Sequence, residues 1–251
     1  MKLGSVHDVG VASVVPQLHP VGSVDTSAVL CWSFASAGVE SLSSAPVGGG
    51  RVCIDWLLNI GVDADYARTD LDVHAAEVAA SLGLGGTGAA LLTALDVGHV
   101  QSVVDHGLRV DATVGVTRPT WAADVDGAFA RWPTAASSTS GGPAGEIGAT
   151  GYRPGTINIV AQLPVALTDA AAVNAVMTIT EAKAQALLEA GVPGTGTASD
   201  AVVVCWPSAS GHSGVADRGR EPEAFAGPRS EWGARLARAT HAAVVAGLER
   251  H

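Results

Sequence analysis

Charge is scarce in this sequence, and positive charge scarcest of all. Asp, Glu, Lys and Arg make up 15% of the residues against 47% that are hydrophobic, which excludes a disordered chain and calls for a packed core. Only 14 Lys and Arg stand against 24 Asp and Glu, for a formal net charge of −10, and no basic cluster interrupts that balance. A nucleic-acid groove and adhesion to anionic membranes are excluded on that ground. Cysteine is limited to Cys31, Cys53 and Cys205, an odd number lying in apolar runs with no Cys-x-x-Cys pair. The pattern excludes a disulfide framework and a zinc site, and reads as three buried free thiols in a reducing cytoplasm. No apolar run approaches 18 residues, so no membrane span is expected. The opening "MKLGSVHDVGVASVVPQLHP" lacks a signal-peptide pattern.

Glycine, by contrast, is abundant, and 31 of them argue for strands, tight turns and close backbone approaches rather than a helical bundle. The spacing of apolar residues predicts strands in "AVLCWSFASAGVESLS" and "RVCIDWLLNIGV", then a helix in "DLDVHAAEVAASLG" capped by Asp70 or Asp72. A strand meander follows in "ALLTALDV", "VQSVVDHG" and "LRVDATVGVT". The strands "GTINIVAQLP" and "SDAVVVCWP" flank a second helix, and a third occupies about 230–248. Residues 133–151 and 207–229 read as exposed loops, and 1–27 carry no defined pattern. The expectation is one α/β domain over 1–251, a mixed β-sheet covered by a few helices, strand-rich in its first half.

Some short motifs fail on context. "GLGGTG" at 83–88 matches G-x-G-x-x-G, but a helix precedes it and a strand follows, the reverse of what pyrophosphate binding needs. "SGHSG" at 210–214 resembles a nucleophile elbow but does not fit G-x-S-x-G. His74 and Glu77 share a helix face without a second ligand pair, so both read as solvent-facing, and His99 and His106 read as turn residues.

The helix "VNAVMTITEAKAQALLEAG" carries more information. At about 100° per residue, Asn174, Thr178, Glu181 and Gln185 share one polar stripe about 60° wide, with Lys183 opposite. Thr168 is placed to cap its N-terminus, and Gly191 with Pro193 to end it. Lys183 reads as the solvated side. The stripe must face water, a polar network or a ligand, because buried and unpartnered it would cost about 1–3 kcal/mol for each neutral group.

This helix, preceded by "GTINIV" and followed by "GTGTASDAVVV", resembles the signature of the adenosylcobinamide amidohydrolase family. The resemblance extends to "LSSAPVGGG", "LLNIGV", "GTGAALLTALDV" and "VGVTRPTWAAD", with a weaker echo in "GPRSEWGARLARA". It departs at Ala198 and Ser199, where the family reads nearer to Gly-Thr, and at Arg229, where a histidine is common. The resemblance implies cytoplasmic corrinoid salvage: hydrolysis of the amide joining the aminopropanol arm to the corrin ring of adenosylcobinamide, giving adenosylcobyric acid. It implies a cobalt corrinoid as substrate, no required cofactor and no metal ligands, and leaves the oligomeric state open.

Amide hydrolysis needs a nucleophile, oxyanion donors and an acid for the leaving amine. Glu181 is expected to act as base or proton shuttle, oriented by Asn174, with Ser43 and Ser44 as further catalytic candidates. Gly48, Gly49, Asn59, Asn158, Thr178, Thr197 and Asp200 are expected to bind substrate. Two alternatives stand beside this. One is a corrinoid-binding protein without catalysis. The other is a self-processing amidase, acting on another amide, that frees Thr156 of "PGTINIV" as an N-terminal nucleophile.

Overall fold

A computed structural model describes residues 13–23, 25–34, 39–125, 155–208 and 221–250. The strands are β1 (Gln17–Ser23), β2 (Thr26–Ser33), β3 (Val39–Ser43), β4 (Gly50–Ile54), β5 (Trp56–Val62), β6 (Gly88–Thr93), β7 (Gln101–Asp105), β8 (Leu108–Val114), β9 (Ile157–Gln162) and β10 (Ala201–Pro207). The α-helices are α1 (Leu71–Ser81), α2 (Asp169–Glu189) and α3 (Glu231–Leu248). The expected loop at 133–151 and most of that at 207–229, including "SGHSG", lie outside the described residues.

The fold is mixed α/β, as expected, but its strands divide between two sheets. One has four strands in the order β1-β2-β5-β6, the other six in the order β4-β3-β10-β9-β8-β7. The apparent continuous run "RVCIDWLLNIGV" therefore splits at Asp55, β4 going to the larger sheet and β5 to the smaller. Alternation explains the stacking, since successive side chains of a strand point to opposite faces. In β9, Ile157, Ile159 and Ala161 pack towards α2 and α3, while Val160 faces the other sheet. In β5, Leu57 points inwards, and Leu58 and Ile60 pack with Ala75, Val78 and Ala79 of α1. The layers thus run α1, four-stranded sheet, six-stranded sheet, then α2 with α3.

Not all of the inter-sheet layer is apolar. Asp111 of β8 is 1% exposed and accepts from Trp32 Nε1 at 3.0 Å, Ser102 Oγ at 2.6 Å and Arg109 Nε at 2.9 Å. Asn59 of β5 donates to Thr113 Oγ1 at 3.0 Å and accepts from Asn158 Nδ2 at 2.9 Å. These bonds fix the stagger between the sheets, because shifting either sheet would strand buried polar groups.

Some individual expectations need correction. Cys53 is exposed, while Cys31 and Cys205 are buried; burial pushes the Cys205 thiol up to about 12 and makes it inert. Asp70 makes no side-chain cap on α1, because Arg68 holds its carboxylate. His74 is buried, not solvent-facing. Its Nε2 lies 2.9 Å from Thr26 Oγ1 and its Nδ1 2.7 Å from Tyr66 OH.

Burial, with the nearby Arg68 charge, holds the His74 pKa below the ordinary histidine value. The unfolded chain then binds this proton more readily than the folded one. Stability is therefore full above the ordinary value of about 6.5 and is lost as pH falls towards the depressed folded value. Urea midpoints measured across pH 7 to 5 should fall in the wild type and fall less in His74→Gln; parallel curves would show that His74 does not contribute.

Candidate active site

The topology brings four strand ends together. β9 and β10 are parallel, so both begin at the same edge of the larger sheet. β8 is antiparallel to β9 and β3 is antiparallel to β10, so both finish there. Thr156, Asp200, Gly115 and Ser44 are the residues at those ends.

Asp200 organises the edge. Its Oδ1 accepts from Ile157 N at 3.0 Å and Thr197 Oγ1 at 2.5 Å, and its Oδ2 from Thr197 N at 3.1 Å and Lys183 Nζ at 2.5 Å. Thr156 Oγ1 lies 2.7 Å from Ser199 Oγ. Thr120 N donates to Gly196 O and Thr195 N to Thr120 O, binding the loop after β8 to the loop before β10. A Cβ at Gly196 would lie 2.4 Å from Asp200 Oδ2 and 2.7 Å from Lys183 Nζ, so a larger residue there would have to displace the ion pair.

Ser44 closes the β10 side, where its Oγ accepts from Val202 N at 3.1 Å and its N donates to Val202 O at 3.0 Å. Ser43 Oγ is buried and has no hydrogen-bond partner among the described residues. Gly48, at φ 64, presses against the Gly88 carbonyl, and Gly49 against the Ala45 carbonyl. Asn158 Nδ2 donates to Asn59 Oδ1 and, at 3.1 Å, to the Leu92 carbonyl, tying the smaller sheet to this edge. Ser43, Ser44, Asn59, Asn158, Thr197 and Asp200 are thus gathered around one set of strand ends.

The polar stripe of α2 lies elsewhere. Thr178 is buried and donates to Ala226 O at 2.8 Å, docking the segment that leads into α3. Glu181 and Gln185 line a groove of about 330 Å³ with Arg238 and His241 of α3. Gln185 and His241 also bond Glu189, and the Gln185 amide with His241 keeps that carboxyl below the usual range. Asn174 is half-buried, and two turns of helix, about 10 Å, separate it from Glu181, so it cannot orient that carboxylate by direct contact.

Lys183, read from the sequence as the solvated side, is 8% exposed and enters the strand-end site. The missed signal was a row at i, i+4: Ile179 and Leu187 flank Lys183 and are both fully buried. The face opposite the polar stripe is the face packed on the sheet. Ser199 was likewise overlooked as a partner of Thr156. Thr168 does cap α2, accepting from Ala171 N at 3.2 Å, and Gly191 at φ 75 follows its last turn.

No group of three or more His, Cys, Asp or Glu is arranged to hold a metal among the described residues. No helix among them is long and apolar enough to cross a membrane.

Known proteins are similar to this sequence. A Methanosarcina mazei protein named adenosylcobinamide amidohydrolase is 27% identical over 82% of this chain and 88% of its own length. A Halobacterium salinarum protein of the same name is 31% identical over 86% of this chain and 82% of its own. The crystal structure of the PH0078 protein from Pyrococcus horikoshii OT3 aligns over 95% of this chain and 79% of its own at 11% identity and a TM-score of 0.40, too distant to support an argument. The family model described as adenosylcobinamide amidohydrolase matches residues 15–251. The chain therefore belongs to the adenosylcobinamide amidohydrolase family.

Proposed function

We propose that this protein hydrolyses the amide between the aminopropanol arm and the corrin ring of adenosylcobinamide, giving adenosylcobyric acid and free aminopropanol. What supports the reading, beside family membership, is the convergence of the distant motifs "SSAPVGGG", "VGVTRPT", "GTINIV" and "GTGTASD" on one strand-end site. The α2 motif joins them through Lys183.

The reaction adds water across a C–N bond: the carbonyl carbon gains oxygen, and the amine leaves with a proton. Negative charge develops on the carbonyl oxygen on the way, and fixed positive charge in a water-poor site stabilises it strongly. Lys183, held in place by Asp200, supplies that charge. Asp200 itself already accepts from four donors, so its part is to hold Lys183 and the 194–200 loop. Thr197, Ser44 and the amides at Gly48 and Gly49 line the approach of the substrate, while Asn59 and Asn158 form a rigid floor. Glu181 and Thr178 fall outside this reading, in the seam between α2 and α3, and so does Asn174, two turns of α2 away from Glu181.

One consequence separates the two placements. Glu181→Gln should keep turnover within a few-fold of wild type, since an exposed groove carboxylate carries no proton for the reaction; a loss of about 100-fold or more, the scale of a missing general base, would return Glu181 to the chemistry. The function itself is tested by incubating the protein with adenosylcobinamide. Free aminopropanol and a corrinoid bearing a new carboxylic acid should appear together. A corrinoid recovered bound but unchanged would identify a sequestering protein and sink the proposal.

A further inference from the structure

The strand-end site contains hydroxyls, a buried cation and an organising carboxylate, yet one component of amide hydrolysis is missing. Among the described residues, none of the ionisable groups bonded at this edge is free to take a proton. All four acceptor positions of Asp200 are engaged, and the Lys183 ammonium is bound to it. The described histidines lie elsewhere: His74 under α1, His99 and His106 at turns, His241 on α3, and His19 on β1.

Thr156 supplies a way out. It stands immediately before β9, an interior strand of the larger sheet, and is 5% exposed. Its neighbours hold it on both sides: its carbonyl accepts from Gly115 N at 3.0 Å, and the next amide, Ile157 N, donates to Asp200 Oδ1 at 3.0 Å. Its hydroxyl is anchored by Ser199 at 2.7 Å. The preceding residue is Gly155, whose backbone is pressed so closely on Gly115 O and Thr117 N that a Cβ would not fit. Thr156 thus carries an anchored hydroxyl on the residue that follows the Gly155 carbonyl, at the site where the proposed function puts the oxyanion.

We propose that Thr156 is the nucleophile of this enzyme and that the chain frees it by cutting itself between Gly155 and Thr156. Thr156 Oγ attacks the Gly155 carbonyl carbon. The C–N bond breaks as the C–O ester bond forms, and the hydroxyl proton ends on the new α-amine. Water then hydrolyses the ester, leaving a Gly155 carboxylate and restoring the Thr156 hydroxyl; one water is consumed and nothing is oxidised. The freed amine is the missing base, because an N-terminal threonine can activate its own hydroxyl. In the reaction with the external amide, Thr156 Oγ takes the acyl group as the amine leaves, and a second water releases the acid.

The external step rests on the proposed corrinoid reading, whereas the self-cleavage does not, so one set of measurements separates them. Intact mass of freshly purified protein should show chains 1–155 and 156–251, with masses summing to the full chain plus one water. Thr156→Ala, checked by thermal melting to be folded, should remain one chain and release no aminopropanol from adenosylcobinamide; Thr156→Ser should keep both cleavage and turnover. A single uncut chain in an active preparation overturns the inference and leaves the proposed function intact. A cut chain that is inert towards adenosylcobinamide overturns the proposed substrate instead. Thr156→Ala that is still cut at this bond, or still active, also overturns the inference.

Discussion

Replacing Lys183 by Met is expected to lower turnover of adenosylcobinamide by about 100-fold or more and to destabilise the fold by about 3–5 kcal/mol. The two effects have one cause. The Lys183 and Asp200 side chains are 10% and 11% exposed, and their ion pair joins α2 to the loop before β10. Removing the ammonium leaves a nearly buried carboxylate without its cation, and the desolvation cost is then uncompensated. It also removes the positive charge assigned to the oxyanion. The second consequence can be separated from the first. Lys183→Met with Asp200→Asn removes both charges, so the urea midpoint should recover a large part of the loss while turnover stays low. If the double variant instead recovers both, Lys183 serves the fold alone.

The second large effect is expected between the sheets. Asp111→Ala leaves Arg109 buried without its carboxylate, and deprives Trp32 Nε1 and Ser102 Oγ of their acceptor. Breaking such a pair should cost about 3–5 kcal/mol and lower the melting temperature by several degrees or more. Here turnover by the protein that remains folded should stay within a few-fold of wild type, because Asp111 makes none of the bonds around Asp200. Stability within about 0.5 kcal/mol of wild type, the range of an ordinary surface substitution, would show that the network contributes nothing net. Paired with Lys183→Met, this variant tests whether the strand-end ion pair does something that a buried ion pair elsewhere does not.

Period and capping carried the sequence reading some distance. The element types of β9, α2 and β10 were legible because Thr168, Gly191 and the apolar runs mark their limits by local rules. The assignment of strands to sheets was not, since nothing local to Asp55 announces that the chain crosses between layers there. Asn59 and Asn158 were legible only as candidates for binding substrate, lying in motifs of the family resemblance. Their meeting across the sheets depends on stacking, which sequence spacing does not encode.

The α2 helix is the instructive case. Its polar stripe was found correctly, but a polar stripe on a surface helix is what solvent and a neighbouring helix ordinarily collect. The informative residue was the one charged side chain on the opposite, packed face, where burial demands a partner. That partner is Asp200, distant by loop but adjacent across the sheet edge. Thr178 shows the converse, a stripe residue used to dock the segment before α3.

Performing the reaction in heavy-oxygen water tests the central claim of amide hydrolysis most directly. The account predicts that labelled oxygen enters the carboxylate of the corrinoid product, that the released aminopropanol carries none, and that Lys183→Met slows both products equally. Labelled aminopropanol, or loss of the arm without a labelled corrinoid carboxylate, would contradict it.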